Sequence, residues 1–561
     1  MFGHESKPCK VYEYGCLPPT EGEEAFLEEI RRRHNLWNRL VEIEHDHRAK
    51  VREVLVVPDD PMPAMYDRLK ELRQQIKEER KQKRSGKVDV SELQQQVKEL
   101  QAAIKEEKMG HAATKKEIAA TNKPLLQELD EERKALVKEA AKASGLYWCN
   151  YEEVVMGYDT ARKKAMRDKT ELKFHRWEGV GKVTVRFQKG LPVPALFTSD
   201  KRLQVDPVES DAWEHPTRSV RRKASRTAIR LRVTSDEAKK PVWIELPMVM
   251  HRPLPPESEI RSASIVRERV GRKYRYKAII TATTPDVLKA HGRGVMAIDL
   301  GWRKVKDGLR VAFWADDNDN SGSLVLPHGV LYEFNKLDDL KSIRDTHHNE
   351  AKTELVEWLA GNAMPEWMAE DTATLSQWRS PARMVSLVRK WSDNRFEGDA
   401  DIFNVMWAWR GRELHLYDWE TNLRDQVIKR RQHIYRNFAA RAIERCDTIV
   451  VEDMDLRGLA RKASPESGTS GSLPTDRQRV MASVSELRLA LENACRQAGV
   501  DYIKEKSAFS TLECCECGFT ERYDAAVQIW HTCPKCHALW DQDENAARNL
   551  LKRHSLKTTG N

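Results

Sequence analysis

Cys514-Cys-Glu-Cys517, Cys533-Pro-Lys-Cys536 and Asp541-Gln-Asp543-Glu-Asn545-Ala-Ala-Arg-Asn549 follow one another close to the C-terminus. Two Cys-x-x-Cys pairs separated by fifteen residues match a zinc ribbon, in which two tight turns present four thiolates as a tetrahedron. Such a set is coordinatively closed, so the zinc would be structural and Cys514, Cys517, Cys533 and Cys536 its ligands. Cys515 reads as a spare thiol, and His531 and His537 as alternative ligands. The acidic run that follows starts a helix and places Asp543 in its first turn, with Asp541 as a competing residue suited to capping.

Two other carboxylates end apolar runs. Val295-Met-Ala-Ile-Asp299 and Thr448-Ile-Val-Val-Glu452 each read as a buried strand closed by an acid. A single acid in such a place is ordinarily a turn residue or a helix cap, and Asp453 and Asp455 compete with Glu452. Together, acids at two strand ends and one helix start can converge. Asp299, Glu452 and Asp543 would then offer the hard oxygen ligands that Mg²⁺ prefers, and two such ions can activate water against a phosphodiester.

The rest of the chain fits a nucleic-acid partner. At 561 residues it should hold several domains. Charged residues make up 33% and the net charge is +9, an interspersed pattern whose positive excess is local and suited to a polyanion. Among 16 tryptophans, Trp302-Arg303, Trp378-Arg379 and Trp409-Arg410 pair a stacking surface with a cation. No apolar leader or membrane-length apolar window is read. The clustered thiols point to a cytoplasmic metal site and not to a secreted disulfide framework.

Alternation predicts a strand at 9–17, and helical spacing begins at Gly22. A second helical stretch reaches about 83, a third runs from 91 to 143 as a solvent-laced antiparallel hairpin or coiled-coil-like arm, and another spans 147–167. Alternating segments at 182–187, 228–233, 242–246 and 274–280 suggest a small β-barrel with Arg230, Arg232, Arg275 and Lys277 on one face. From Gly294 the order is strand (295–299), strand (309–314), long helical region (335–445), strand (448–452), a Ser/Gly/Pro-rich loop (464–474), helix (483–498) and strand (500–503). That order is an α/β layered domain with long insertions.

These pieces resemble the RuvC-like nucleases of transposon TnpB proteins and type V CRISPR effectors. The likeness is carried by Ala297-Ile-Asp299-Leu-Gly301, Val450-Val-Glu452-Asp, the four cysteines and Asp543-x-Asn545-Ala-Ala-x-Asn549-Leu. Gly145-Leu-Tyr-Trp148, Ile244-Glu-Leu-Pro-Met-Val-Met-His251, Gln377-Trp-Arg-Ser-Pro381 and Met406-Trp-Ala-Trp409 are similar to segments of the miniature type V-M effectors. The resemblance implies a multidomain α+β protein. Its units would be a wedge barrel (1–20 and 169–292) interrupted by a helical recognition lobe (21–168), an RNase H-like RuvC domain (293–508), a zinc-ribbon nucleic-acid-binding module (509–540) and a closing RuvC helix (541–561). It implies a monomer holding a CRISPR guide RNA and targeting duplex DNA, with Mg²⁺ at Asp299, Glu452 and Asp543 and Zn²⁺ at the four thiols. The reading taken is a guided effector with a two-metal RuvC-like endonuclease site; because type V-M effectors are associated with silencing by tight DNA binding, its first rival is a DNA binder whose RuvC site at most trims guide RNA. A transposon-encoded TnpB nuclease is the second rival.

Overall fold

The computed structural model describes residues 9–57, 61–82, 91–198, 200–283, 292–455, 473–506, 508–523 and 529–559. β1 (Cys9–Cys16) alternates as expected, with Tyr12 and Tyr14 inside and Val11 outside. Gly22 then adopts φ +76°, and a Cβ there would lie 1.9 Å from the Trp243 carbonyl oxygen. Only glycine lets the chain turn into a helix this close to a neighbouring strand.

Five helices follow: α1 (Glu23–Val54), α2 (Met62–Gln82), α3 (Ser91–Thr121), α4 (Lys123–Ala143) and α5 (Trp148–Arg167). The helical stretch read over 91–143, as an antiparallel hairpin or a coiled-coil-like arm, is two helices. Pro124 lacks the N–H that a continuing helix needs, but it fits the first turn of a new one, and the break falls at Asn122. α1, α4 and α5 share a core that includes Leu40, Val137 and Tyr158, whereas α2 and α3 meet around a smaller cluster of Met62, Leu69 and Ile104.

The chain then supplies β2 (Gly181–Pro192), β3 (Leu203–Val205), the short α6 (Arg218–Ala224), β4 (Arg226–Ser235), β5 (Pro241–Val249), β6 (Glu259–Val270) and β7 (Lys273–Thr283). With β1 they form a seven-stranded sheet in the order β2-β6-β7-β1-β5-β4-β3. β1 runs antiparallel to β7, with Cys9 opposite Thr283 and Cys16 opposite Tyr276, so α1–α5 lie in the chain between two strands of one sheet. The strands read from the sequence as a small β-barrel belong to this sheet, which surrounds a single apolar core. Among the described residues no backbone pairing joins the end strands β2 and β3. β6 escaped the sequence reading because Ser262 and Ser264 blur its alternation.

The cations expected to face a nucleic-acid backbone are largely paired at home. Arg230 binds Glu245 and Asp206, Lys277 binds Glu13 and Glu268, and Arg275 binds Asp425 and Asn422. Arg232 lies over the Tyr147 ring at 5.1 Å.

β8 (Val295–Val305), β9 (Gly308–Asp316) and β10 (Ser321–Pro327) form a meander. It leads into α7 (His328–Gly361), α8 (Glu366–Thr372), α9 (Pro381–Asp393) and α10 (Ala400–Arg445). β11 (Thr448–Glu452), α11 (Leu473–Ala482), α12 (Val484–Ala498) and β12 (Asp501–Glu505) complete a five-stranded sheet, β10-β9-β8-β11-β12, in which β11 is parallel to both neighbours. The loop read at 464–474 falls mostly outside the described residues. Trp378 and Trp409 are buried with Trp391 in the core of the helical insertion. These two tryptophans therefore pack the protein interior and are not surfaces for stacking bases. β13 (Trp530–Thr532), β14 (Leu539–Asp541) and α13 (Gln542–Thr559) close the chain, and among the described residues no helix is long and apolar enough to cross a membrane.

Candidate metal centres

The two-residue period of a strand decides where the acids go. On β8 and β11, Met296, Ile298, Leu300, Ile449 and Val451 face one side and join a core with residues of α10 and α12. Ala297 and Val450 face the other side, packed with Leu550 of α13. Asp299 and Glu452 continue this second face. They lie one residue beyond the parallel pair Ile298–Val451, so the two carboxylates are neighbours across the strands and point toward the helix that starts at Gln542. Asp299 is not at a strand end, however, because β8 runs on to Val305. Glu452 does end its strand and is buried, whereas Asp453 and Asp455 are exposed.

Electrostatics mark the convergence. The Asp299 carboxyl is held well above its usual range, first by burial and then by the negative charges of Glu452 and Asp543, while Arg303 and Arg310 pull it down. Asp543 is also raised by burial, against the opposing pull of Arg310 and Arg303. These two arginines were not singled out as members of the site from the sequence. A bulge in β8 between Leu300 and Arg303 brings Arg303 opposite Arg310 of β9. Arg310 is only 7% exposed and grips Asp541 with both terminal nitrogens at 3.0 Å. Its Nη2 also stands 2.6 Å from Asp543 Oδ2. Arg303 donates to Gln542 at 2.9 Å and lies 3.5 Å from Asp543 Oδ1. The one available signal was that Arg310 is the sole charge in the apolar run 309–314. Asp541 keeps the capping role as well, accepting from the Asp543 backbone N–H at 2.9 Å.

The four thiols form a second centre. The Sγ atoms of Cys514, Cys517, Cys533 and Cys536 all lie within 4.8 Å of one another, and two of the pairs are 3.6 Å apart. A tetrahedral zinc with Zn–S near 2.3 Å would set its sulfurs roughly 3.8 Å apart, so the set fits that ion. Among the described residues no other cluster of three or more His, Cys, Asp or Glu places its ligand atoms this close. His531 instead stacks on Tyr523 at 4.1 Å and meets Glu521, and His537 is exposed.

The two knuckles share one backbone design. Gly518 and His537 each donate to the first cysteine of their turn at 2.9 Å, and each has a left-handed φ, 74° and 60°. Histidine adopts that region at a steric cost that glycine escapes. His537→Gly should therefore stabilise the metal-loaded protein by about 1 kcal/mol. A chemical-denaturation midpoint shifted upward checks this, and a downward shift would show that the side chain contributes contacts.

Asparagines tie the thiol centre to the acidic one. Asn545 Nδ2 donates to the Glu513 carbonyl at 2.7 Å, and its Oδ1 accepts from the Cys515 N–H at 2.8 Å. One turn on, Asn549 donates to the carbonyls of Ser510 and Glu513. Both side chains are buried. The first turn of α13, which carries Asp543, is thus clamped to the turn segment entering the ribbon.

Residues 485–550, from α12 through the ribbon into α13, match the family model described as Cas12f1-like, TNB domain. A CRISPR-associated DNA-binding protein Cas12m of Thermanaerosceptrum fracticalcis is 50% identical over 96% of this chain and 92% of its own length. The chain belongs to the Cas12m family. A second Cas12m, from Allomeiothermus silvanus, is 35% identical over 98% of both chains. Among solved structures, a Cas12f1–sgRNA–target DNA complex covers 97% of this chain and 99% of its own at 13% identity, with a TM-score of 0.44. Membership of the Cas12m family makes the chain a type V CRISPR effector, with the mixed α+β, multidomain build described above.

Proposed function

We propose that this protein carries a CRISPR guide RNA and uses it to bind duplex DNA. The observation that carries the reading is whole-length kinship with a relative named a CRISPR-associated DNA-binding protein. In such proteins base pairing reads the sequence, and the protein holds backbones. A surface suited to that task lies on the seven-stranded sheet. A cavity of about 970 Å³ there is lined by Arg218, Arg221, Arg222, Arg226, Trp213 and His251. Unlike Arg230 and Arg275, its four arginines have no ion-pair partner among the described residues. Unpaired guanidiniums around an aromatic suit phosphates and a stacked base.

A nuclease centre is the second reading, favoured by the convergence of Asp299, Glu452 and Asp543. The donor set does not fit two divalent ions as it stands, because Asp543 is taken up by arginines. Zinc fits the four thiols, where it would supply rigidity and no open coordination position.

The test is a supercoiled-plasmid assay with the purified protein–guide complex, a randomised flanking motif and Mg²⁺, scoring retention and nicking together. Guide-dependent retention of intact plasmid is expected; retention that ignores the guide would sink the reading. Arg221→Ala/Arg222→Ala should weaken retention about tenfold at physiological salt and lower the log–log salt slope by about 2. An unchanged slope would remove this cavity from the contact surface.

A further inference from the structure

Both oxygens of the Asp543 carboxylate already face guanidiniums: Oδ2 lies 2.6 Å from Arg310 and Oδ1 lies 3.5 Å from Arg303. Arg310 is not a loose surface cation. It sits within β9, whose backbone is paired on one side with β8 and on the other with β10. Its fork is closed on Asp541, and the group stays charged at any physiological pH. A Mg²⁺ or Mn²⁺ ligated by Asp543 would stand about 2.0–2.1 Å from one of its oxygens. It would then be within a few ångströms of a fixed positive charge, in an interior that screens poorly.

We propose that Arg310 is a built-in counter-cation for Asp543, so that a divalent ion gains this carboxylate only by displacing the guanidinium. Arg310 is then a positioning residue that sets how weakly the acidic centre takes divalent ions. Its charge satisfies Asp541 and Asp543 without any metal, which lets β9, β14 and the start of α13 assemble in the ion-free protein. The pairing involves neither guide nor DNA, so its outcome is separable from that of guided binding.

The experiment is a Mn²⁺ titration of the full-length, zinc-loaded protein, read by electron paramagnetic resonance of the free ion. Mn²⁺ is chosen because it favours carboxylates over thiolates. Arg310→Met should bind Mn²⁺ at least about tenfold more tightly than the wild type, the scale of removing one close like charge. Adding Asp299→Ala to Arg310→Met should abolish the gain, which places the ion at the acids. Zinc content should not change. Equal or weaker Mn²⁺ binding by Arg310→Met would overturn the proposal, as would a gain that survives Asp299→Ala. If circular dichroism shows Arg310→Met to be unfolded, Arg310→Lys decides. Its single ammonium cannot hold Asp541 and Asp543 together, so a gain of about threefold is expected, and no gain overturns the proposal.

Discussion

Cys533→Ser is expected to abolish zinc binding at the four thiols and to loosen residues 508–523 and 529–541 together with the first turn of α13. The thiol cluster has little else to hold it. Its own apolar core is Trp540 and the cysteines, with Ala538 packed alongside. Structural zinc supplies about 10–16 kcal/mol of apparent binding energy in small modules, which exceeds the stability of many whole domains. The loss should spread through the asparagine clamp, because Asn545 and Asn549 hold carbonyls at Ser510 and Glu513 just ahead of Cys514. Zinc content measured by atomic absorption should fall to near zero. Hydrogen exchange should accelerate over the ribbon and the start of α13, while β8, β9 and β11 stay protected. Retained zinc with unchanged exchange would refute the ligand assignment.

Asp299→Asn should stabilise the protein at neutral pH in magnesium-free, chelator-free buffer, which leaves any zinc in place. The Asp299 carboxyl is raised by its burial and by Glu452 and Asp543, so its folded-state pKa lies above the unfolded value of about 3.9. Between those two values the folded state holds a proton that the unfolded chain has lost, so stability falls as pH rises. The loss is about 1.4 kcal/mol per pH unit inside that window and levels off above the folded pKa. Asparagine carries no such charge. The variant should therefore melt higher than the wild type at pH 8, with the gap closing toward pH 4. Paired thermal melts across that range check it; a gap that is constant or reversed would show that the carboxylate is not penalised by its surroundings.

Both candidate centres could be proposed from the sequence because each is announced locally. A Cys-x-x-Cys turn is defined within a few residues. An apolar run ending in an acid announces a buried strand and the carboxylate that follows it, wherever that strand finally pairs. The parity that sends Asp299 and Glu452 to one face is likewise local, since side chains alternate along any strand. The thiol spacing, the elements that carry the acids, and the family likeness that 50% identity over most of the chain upholds were therefore decided by the sequence alone. Tertiary structure alone decided the neighbours. β1 completes a sheet with strands more than two hundred residues away. Arg230 and Lys277 find acids on adjacent strands, whereas Arg221 and Arg222 are left lining a cavity. Arg310, an ordinary residue of one strand, reaches Asp541 and Asp543 some 230 positions later. The reason is physical: periodicity specifies the face a side chain takes, but a charge is set by whatever lies within a few ångströms through space, and that is known only once distant segments have packed.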